Sequence, residues 1–403
     1  MIDHYPSAVR TGHALPAQAP APTGSRDLVL AQLSSRVLAS LPRSDQRRKG
    51  LQYLDGLLTV QGRKSIRNIA KLLGTQASEQ NLHHFISDST WDWVPIRRAL
   101  AEAVDDALPT RAWVVRPMTI PKAGQNSVGV GQHFSAALGQ TLNAQRAVGV
   151  WAASESASVP VNWRLYLPSS WHTDDARRSQ AAVPEGAGEE SLYGCAVEAS
   201  RETQLGWGLP VRPVVFDLDE APEPLLETLA TSHAPLMARV GEDTLLTVVD
   251  RVMGGREQST LPAHRIMAMA GNMRRPVPGR RPLPGMVKSL PLAAAVRVEL
   301  PASARGSEHR QLVLLGMGDY GSRWPAELWL SNLTTVPMEY LARLRQLTAR
   351  AARDAAVVAD RVGIRDFTGR SFTGWHRHVT LASAAHAVTM LGDPARHLPH
   401  MAR

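Results

Sequence analysis

The acids that could do chemistry sit at a strand end. Val214 to Asp217 reads as a short buried strand closing on a carboxylate, with Asp219 and Glu220 just beyond. Carboxylates there hold a divalent ion, cap the following helix or pair with a nearby arginine. A second chemistry is phosphate contact. Arg63, Lys64, Arg67 and Lys71 lie beside a helical apolar face, and Arg47, Arg48 and Lys49 precede another helix. Cations at that spacing suit a polyanion or a solvated helix face. His83 and His84 read as surface or half-buried histidines. His376 and His378 are two residues apart and point to different helix faces, so a joint metal site is not expected. Cys195 stands alone in the sequence, which excludes an intramolecular disulfide and a cysteine-rich zinc module.

Two textures of sequence must position these groups. From Arg26 to about Ala107 leucines and isoleucines recur at helical spacing, as in Leu51, Leu54, Leu57, Leu58 and then Ile66, Ile69, Leu72, Leu73. Gly74 stops the third element, a short helix from about Ser78 to Ile86 follows, and the arrangement suits a helix-turn-helix. After Pro109 the pattern becomes strand-like: Ala112–Val115, Ser127–Phe134, Ala144–Trp151 and Val161–Leu167, each rich in Val or aromatic residues. Asp174 to Leu205 is mostly helical, Gln311–Gly316 and Glu327–Leu330 are further strands, and helices are expected over Met338–Arg361 and Trp375–Leu391. Between about 240 and 307 the chain is irregular, with Arg274, Arg275, Arg280, Arg281 and Lys288 among prolines.

Composition narrows the partners. Over 403 residues, 44% hydrophobic and 20% charged content supplies real cores and argues against wholesale disorder. A formal charge of +9 puts nucleic acid first among partners. No uncharged apolar run approaches the ~20 residues of a membrane helix, so a cytoplasmic, nucleoid-associated protein with no membrane partner is expected.

Several segments in order carry a resemblance: Pro121-Lys122-x-Gly124 with Ser127-Val128-Gly129-Val130, then Asn143-x-Gln145, then Trp163-Arg164-Leu165-Tyr166-Leu167-Pro168 with Ser170, Trp171 and Asp174. Later come Trp329-Leu330-Ser331-Asn332 and Gly369-Arg370-Ser371-Phe372-x-Gly374-Trp375-His376-Arg377-His378. Together they resemble the DDE transposases of the insertion sequence 701 group over about residues 26–392. The resemblance implies an α/β fold class: an N-terminal helical, helix-turn-helix-like DNA-binding domain at 25–108 and an RNase H-like mixed-sheet domain at 109–239 and 308–392. A β-rich inserted lobe or loop at 240–307 and tails at 1–24 and 393–403 complete it. It also implies double-stranded DNA as partner, self-association as a homodimer, and Arg47, Arg48, Lys49, Arg63, Lys64, Arg67, Lys71 and Lys122 as DNA-contacting residues.

Strand transfer in that family uses two Mg²⁺ ions held by two Asp and one Glu. The stretch matching the first acid is Arg116-Pro117-Met118-Thr119-Ile120-Pro121-Lys122 and holds no acid. Asp217 matches the second, without the Tyr-Gly pair that normally follows. The spacing of the third places Ala352 where Glu belongs, and Asp354 points about 200° away from it on a helix. No intact catalytic set, no bound metal cofactor and an Arg116–Asp217 salt bridge are therefore expected. The implied protein is a degenerate, domesticated transposase that binds DNA without cutting it, as a host regulator. Two other functions stay open: an active Mg²⁺-dependent recombinase using shifted acids such as Asp217, Asp219 and Asp354, and a protein-interaction scaffold without DNA binding.

Overall fold

Ala112 to Val115 are buried one after another at the start of β1 (Ala112–Pro121). Successive side chains on a strand point to opposite faces, so both faces of the sheet are covered here. In the computed structural model, residues 23–74, 78–135, 139–188, 190–219, 221–253, 259–277, 291–301, 311–319 and 323–393 are described. Most of both expected tails, Glu220, and Arg280, Arg281 and Lys288 lie outside them.

β1 pairs antiparallel with β3 (Gln140–Ala153) and parallel with β5 (Val214–Phe216), and β5 pairs parallel with β6 (Leu236–Arg239). On its other edge β3 carries β2 (Val130–Ser135) and β4 (Ser158–Tyr166), both antiparallel. The order β4-β3-β1-β5-β6, with only β3 reversed against its neighbours, is the mixed-sheet, RNase H-like class expected from the sequence. Helices α6 (Asp175–Gln180), α7 (Leu192–Arg201) and α8 (Glu223–Thr231) fill the connections around β5.

The stretch expected as a β-rich inserted lobe or loop contributes strands to the same sheet. β12 (Glu327–Ser331) pairs antiparallel with β6, and beyond it come β11 (Leu312–Asp319), β10 (Pro291–Glu299), β7 (Leu245–Val248) and β8 (Thr260–Pro262). β9 (Arg275–Pro276) adds to β10, and α9 (Ala263–Met269) packs against β10. β11 and β12 continue this run of strands outward from β6. The pairing is non-local and leaves no mark in the strand sequences themselves.

The N-terminal elements are α1 (Thr23–Val37), α2 (Ser44–Thr59), α3 (Ile66–Leu73), α4 (Glu79–His83), which winds into a π-helical turn over His84–Asp88, and α5 (Val94–Ala107). Ser65 and Ser78 cap α3 and α4, their hydroxyls accepting from Asn68 N and Asn81 N. Gly74, at φ 57°, ends α3 in a conformation that costs glycine little. α2 and α3 meet at Gly56, where a Cβ would lie 2.3 Å from Ile69 Cγ2. After β12 the chain forms α10 (Met338–Asp354) and then α11 (Phe372–Leu391). α11 is buried almost all round, against α1, α2 and α5 on one side and β4 on another. One continuous core therefore runs through helical and sheet regions.

Candidate functional site

The parallel register of β1 on β5 places Val115 opposite Phe216, and Asp217 N donates to Val115 O at 2.9 Å. Asp217 therefore emerges from β5 directly beside Arg116. Arg116 Nε donates to Asp217 Oδ2 at 3.2 Å, and both side chains are largely buried. Burial pushes the Asp217 carboxyl above its usual range, outweighing the opposing pull of Arg116 and Arg239. A second pair stands next to it. Glu327 opens β12, and α10 sends Arg345 onto it as a fork, with Nε 2.6 Å from Oε2 and Nη2 on Oε1. Trp329 Nε1 adds a bond to Oε2 at 3.2 Å. Burial raises Glu327, but this set of donors prevails and holds the carboxyl below its usual range. The single bond from Arg116 and the fork from Arg345 account for the opposite directions of the two acids. Beside them Asp219, Arg239, Glu242 and Glu327 line a cavity of ≈ 170 Å³.

These groups do not fit a Mg²⁺ pair. The ion wants hard oxygen donors in near-octahedral geometry at about 2.0–2.1 Å, whereas the Asp217 carboxylate is taken by a guanidinium. Two unit charges about 4 Å apart repel by about 4 kcal/mol at an effective dielectric near 20, and a divalent ion doubles that. Among the described residues no group of three or more His, Cys, Asp or Glu side chains could hold a metal. Asp354, one of the acids considered as a shifted ligand, is 1% exposed and accepts from Ser158 N and Oγ, both at 2.9 Å. It pins α10 to the start of β4. Ala352 is half-buried on α10, and the α10 residue within reach of Asp217's field is Arg345, about two turns earlier.

The basic residues divide by exposure. Arg47, Arg48, Arg63, Arg67 and Lys71 are exposed and Lys49 is half-buried 3.6 Å from Asp45. Lys64, expected with these as a DNA contact, is instead 4% exposed and its ammonium donates to Val60 O. Because it precedes α3 rather than lying on its outer surface, its stem packs under Gly363 instead. Lys122 is half-buried and donates from Nζ to Phe367 O at 2.9 Å. His83 and His84 are exposed near Asp88.

The motif residues outside the pocket are braces. Asn143 Nδ2 donates to Lys122 O and Gly124 O, and Gln145 Nε2 to Val128 O, closing the loop after β1. Trp163 Nε1 bonds Ser383 Oγ and Trp171 Nε1 bonds Val130 O. Asn332 receives Leu236 N and donates to Ser232 O and Ala234 O. His376 stacks on Trp93 with ring centroids 4.7 Å apart. His378 Nε2 donates to Gly363 O, which leaves Nδ1 to accept from Tyr53 Oη at 2.8 Å. Sequence reasoning missed Arg97, Arg345 and Glu327; the helical spacing of Arg345 and the strand-opening position of Glu327 gave no sign that they meet.

The sheet order, with an acid leaving β5 beside β1, defines the RNase H-like class of α/β proteins. The chain belongs to the DDE superfamily endonuclease family, whose model matches residues 36–246. Among solved structures it is similar to a piggyBac transposase synaptic complex with hairpin DNA, determined by cryo-electron microscopy. The TM-score is 0.36 at 8% identity, over 94% of this chain and 80% of that one. No curated protein matches. Among the described residues no helix is long and apolar enough to cross a membrane.

Proposed function

We propose that this chain is a transposase-derived, double-stranded-DNA-binding protein, related to the insertion sequence 701 group, that has lost metal-dependent strand cleavage and serves as a nucleoid-associated regulator. One observation carries the reading: the guanidinium of Arg116 is bonded to Asp217 where a divalent ion would need that carboxylate. The fork of Arg345 on Glu327 supports it, since a second largely buried acid is engaged by a guanidinium; Ala352 remains the degenerate third position of the ancestral cage. Two fixed cations then stand in for the two ions as the counter-charge of the acids. DNA contact falls to the exposed cations Arg47, Arg48, Arg63, Arg67 and Lys71, with α3 and α4 as the helix-turn-helix pair; self-association as a homodimer belongs to the same reading.

The test is plasmid nicking with Mg²⁺ or Mn²⁺ together with a mobility shift on duplex DNA. No divalent-dependent nicking is expected, and duplex binding should weaken with salt at a log–log slope of about −0.9 per phosphate contact. Nicking that Asp217→Ala abolishes would overturn the loss of cleavage. Salt-independent or absent duplex binding would overturn the DNA-binding half.

A further inference from the structure

Three segments far apart in sequence converge beside the pocket. Lys64 N donates to Asp366 Oδ2 at 2.7 Å, joining the start of α3 to the loop before α11. The contact is tight: Gly363, at φ 75°, would bring a Cβ within 2.4 Å of Lys64 Cγ. Lys122, at the end of β1, reaches Phe367 O in the same loop. The fold thereby brings Arg63, Lys122, Arg361 and Arg365 around the Lys64–Asp366 contact, although 298 positions separate Arg63 from Arg361 in the numbering. Arg63 and Arg361 are exposed, and the Arg365 side chain is 44% exposed. Arg63 is close enough to Lys122, and Arg365 to Arg116, to depress their titration in addition to burial.

The acids within this loop do not balance the strip. Asp366 accepts from the Lys64 N–H and offsets part of the charge on Lys122, and Asp360 meets Arg365 at 3.4 Å with both side chains nearly half exposed, a surface pair worth little, so two acids of this loop face four cations. Cations gathered this way repel one another, and a polyanion relieves the repulsion.

Resting on the DNA-binding reading above, we infer that Arg63, Lys122, Arg361 and Arg365 form a phosphate-contacting strip along which duplex DNA runs from the helical region past the arginine-filled pocket. Duplex DNA is the partner that fits, because a row of cations set on a rigid scaffold matches a backbone of regularly repeated phosphates, and such contacts fix position without reading sequence.

The experiment measures salt-dependent binding of one defined duplex by the full chain and two variants. The strip variant carries Arg63→Gln, Arg361→Gln and Arg365→Gln; the helix variant carries Arg67→Gln and Lys71→Gln. The strip variant should keep the wild-type melting curve and lose about 2.7 from the log–log salt slope, about 0.9 for each cation. If the wild type binds with a steep slope that the strip variant retains while the helix variant loses it, the strip is wrong and the DNA-binding reading survives. If the wild type shows no salt-dependent binding, both fall. Equal binding of polyglutamate and duplex by the wild type would also overturn the strip, since it would then serve any acidic polymer.

Discussion

Two arginine-rich regions of this molecule differ in what receives their N–H groups. At the junction of α5, β4 and α11, Arg97 is 2% exposed and donates to Thr380 Oγ1, Asn162 Oδ1, Trp163 O and His376, all uncharged acceptors. At the sheet end, Arg116 and Arg345 donate to Asp217 and Glu327. The first region ties helices to sheet by saturating carbonyls and hydroxyls. The second region balances two carboxylates with guanidinium charge. A buried arginine by itself therefore says little about a site, and the charge of its acceptors says which role it plays.

The largest effect should come from the first region. Arg97→Ala strands its acceptors and opens a cavity, and should cost about 3–5 kcal/mol in urea unfolding; a loss under about 1 kcal/mol would erase the distinction between brace and pocket. Next comes acid. Burial lowers His378 to about 4 from its ordinary 6.5, so its neutral form stabilises the fold above the unfolded value and that contribution is lost as pH falls from about 6.5 towards 4. The loss amounts to about 3 kcal/mol, and His378→Gln should flatten the stability profile across that window.

A smaller effect separates the two acids of the pocket. Glu327 is held below its ordinary range, so its contribution is present above the unfolded value and disappears as pH falls through the folded one. Glu327→Gln should cost about 2 kcal/mol near neutrality and nothing once both forms are protonated. Asp217 has the reverse sign: its raised carboxyl contributes stability at low pH and loses it as pH rises through the folded value. The smallest change is Arg116→Gln, about 1 kcal/mol or less. Carboxyl-carbon NMR should then show Asp217 climbing further; an unchanged Asp217 would mean that Arg116 does not serve as its counter-ion.

Much of the scaffold was legible from periodicity. The helical spacing of Leu51, Leu54 and Leu57, the caps Ser65 and Ser78, the stop at Gly74 and the acid closing Val214–Asp217 are local features, and the structure forms elements there. The pairing of Arg116 with Asp217 was legible only through the family pattern. The sheet extension beyond β6, the burial of Lys64 and the meeting of Arg345 with Glu327 were not, because each depends on a neighbour tens to hundreds of residues away.

The sequence by itself determined the alternation of helical and strand-like segments, the basic character of the chain and the presence of an arginine at position 116, since propensity, charge and residue identity are local. Only the tertiary structure decided which cations face solvent, which acids receive guanidinium groups and which segments adjoin the pocket. Burial and Coulomb energy depend on distance through space, and chain closure brings positions 63, 122 and 365 together in a way that no spacing along the backbone encodes.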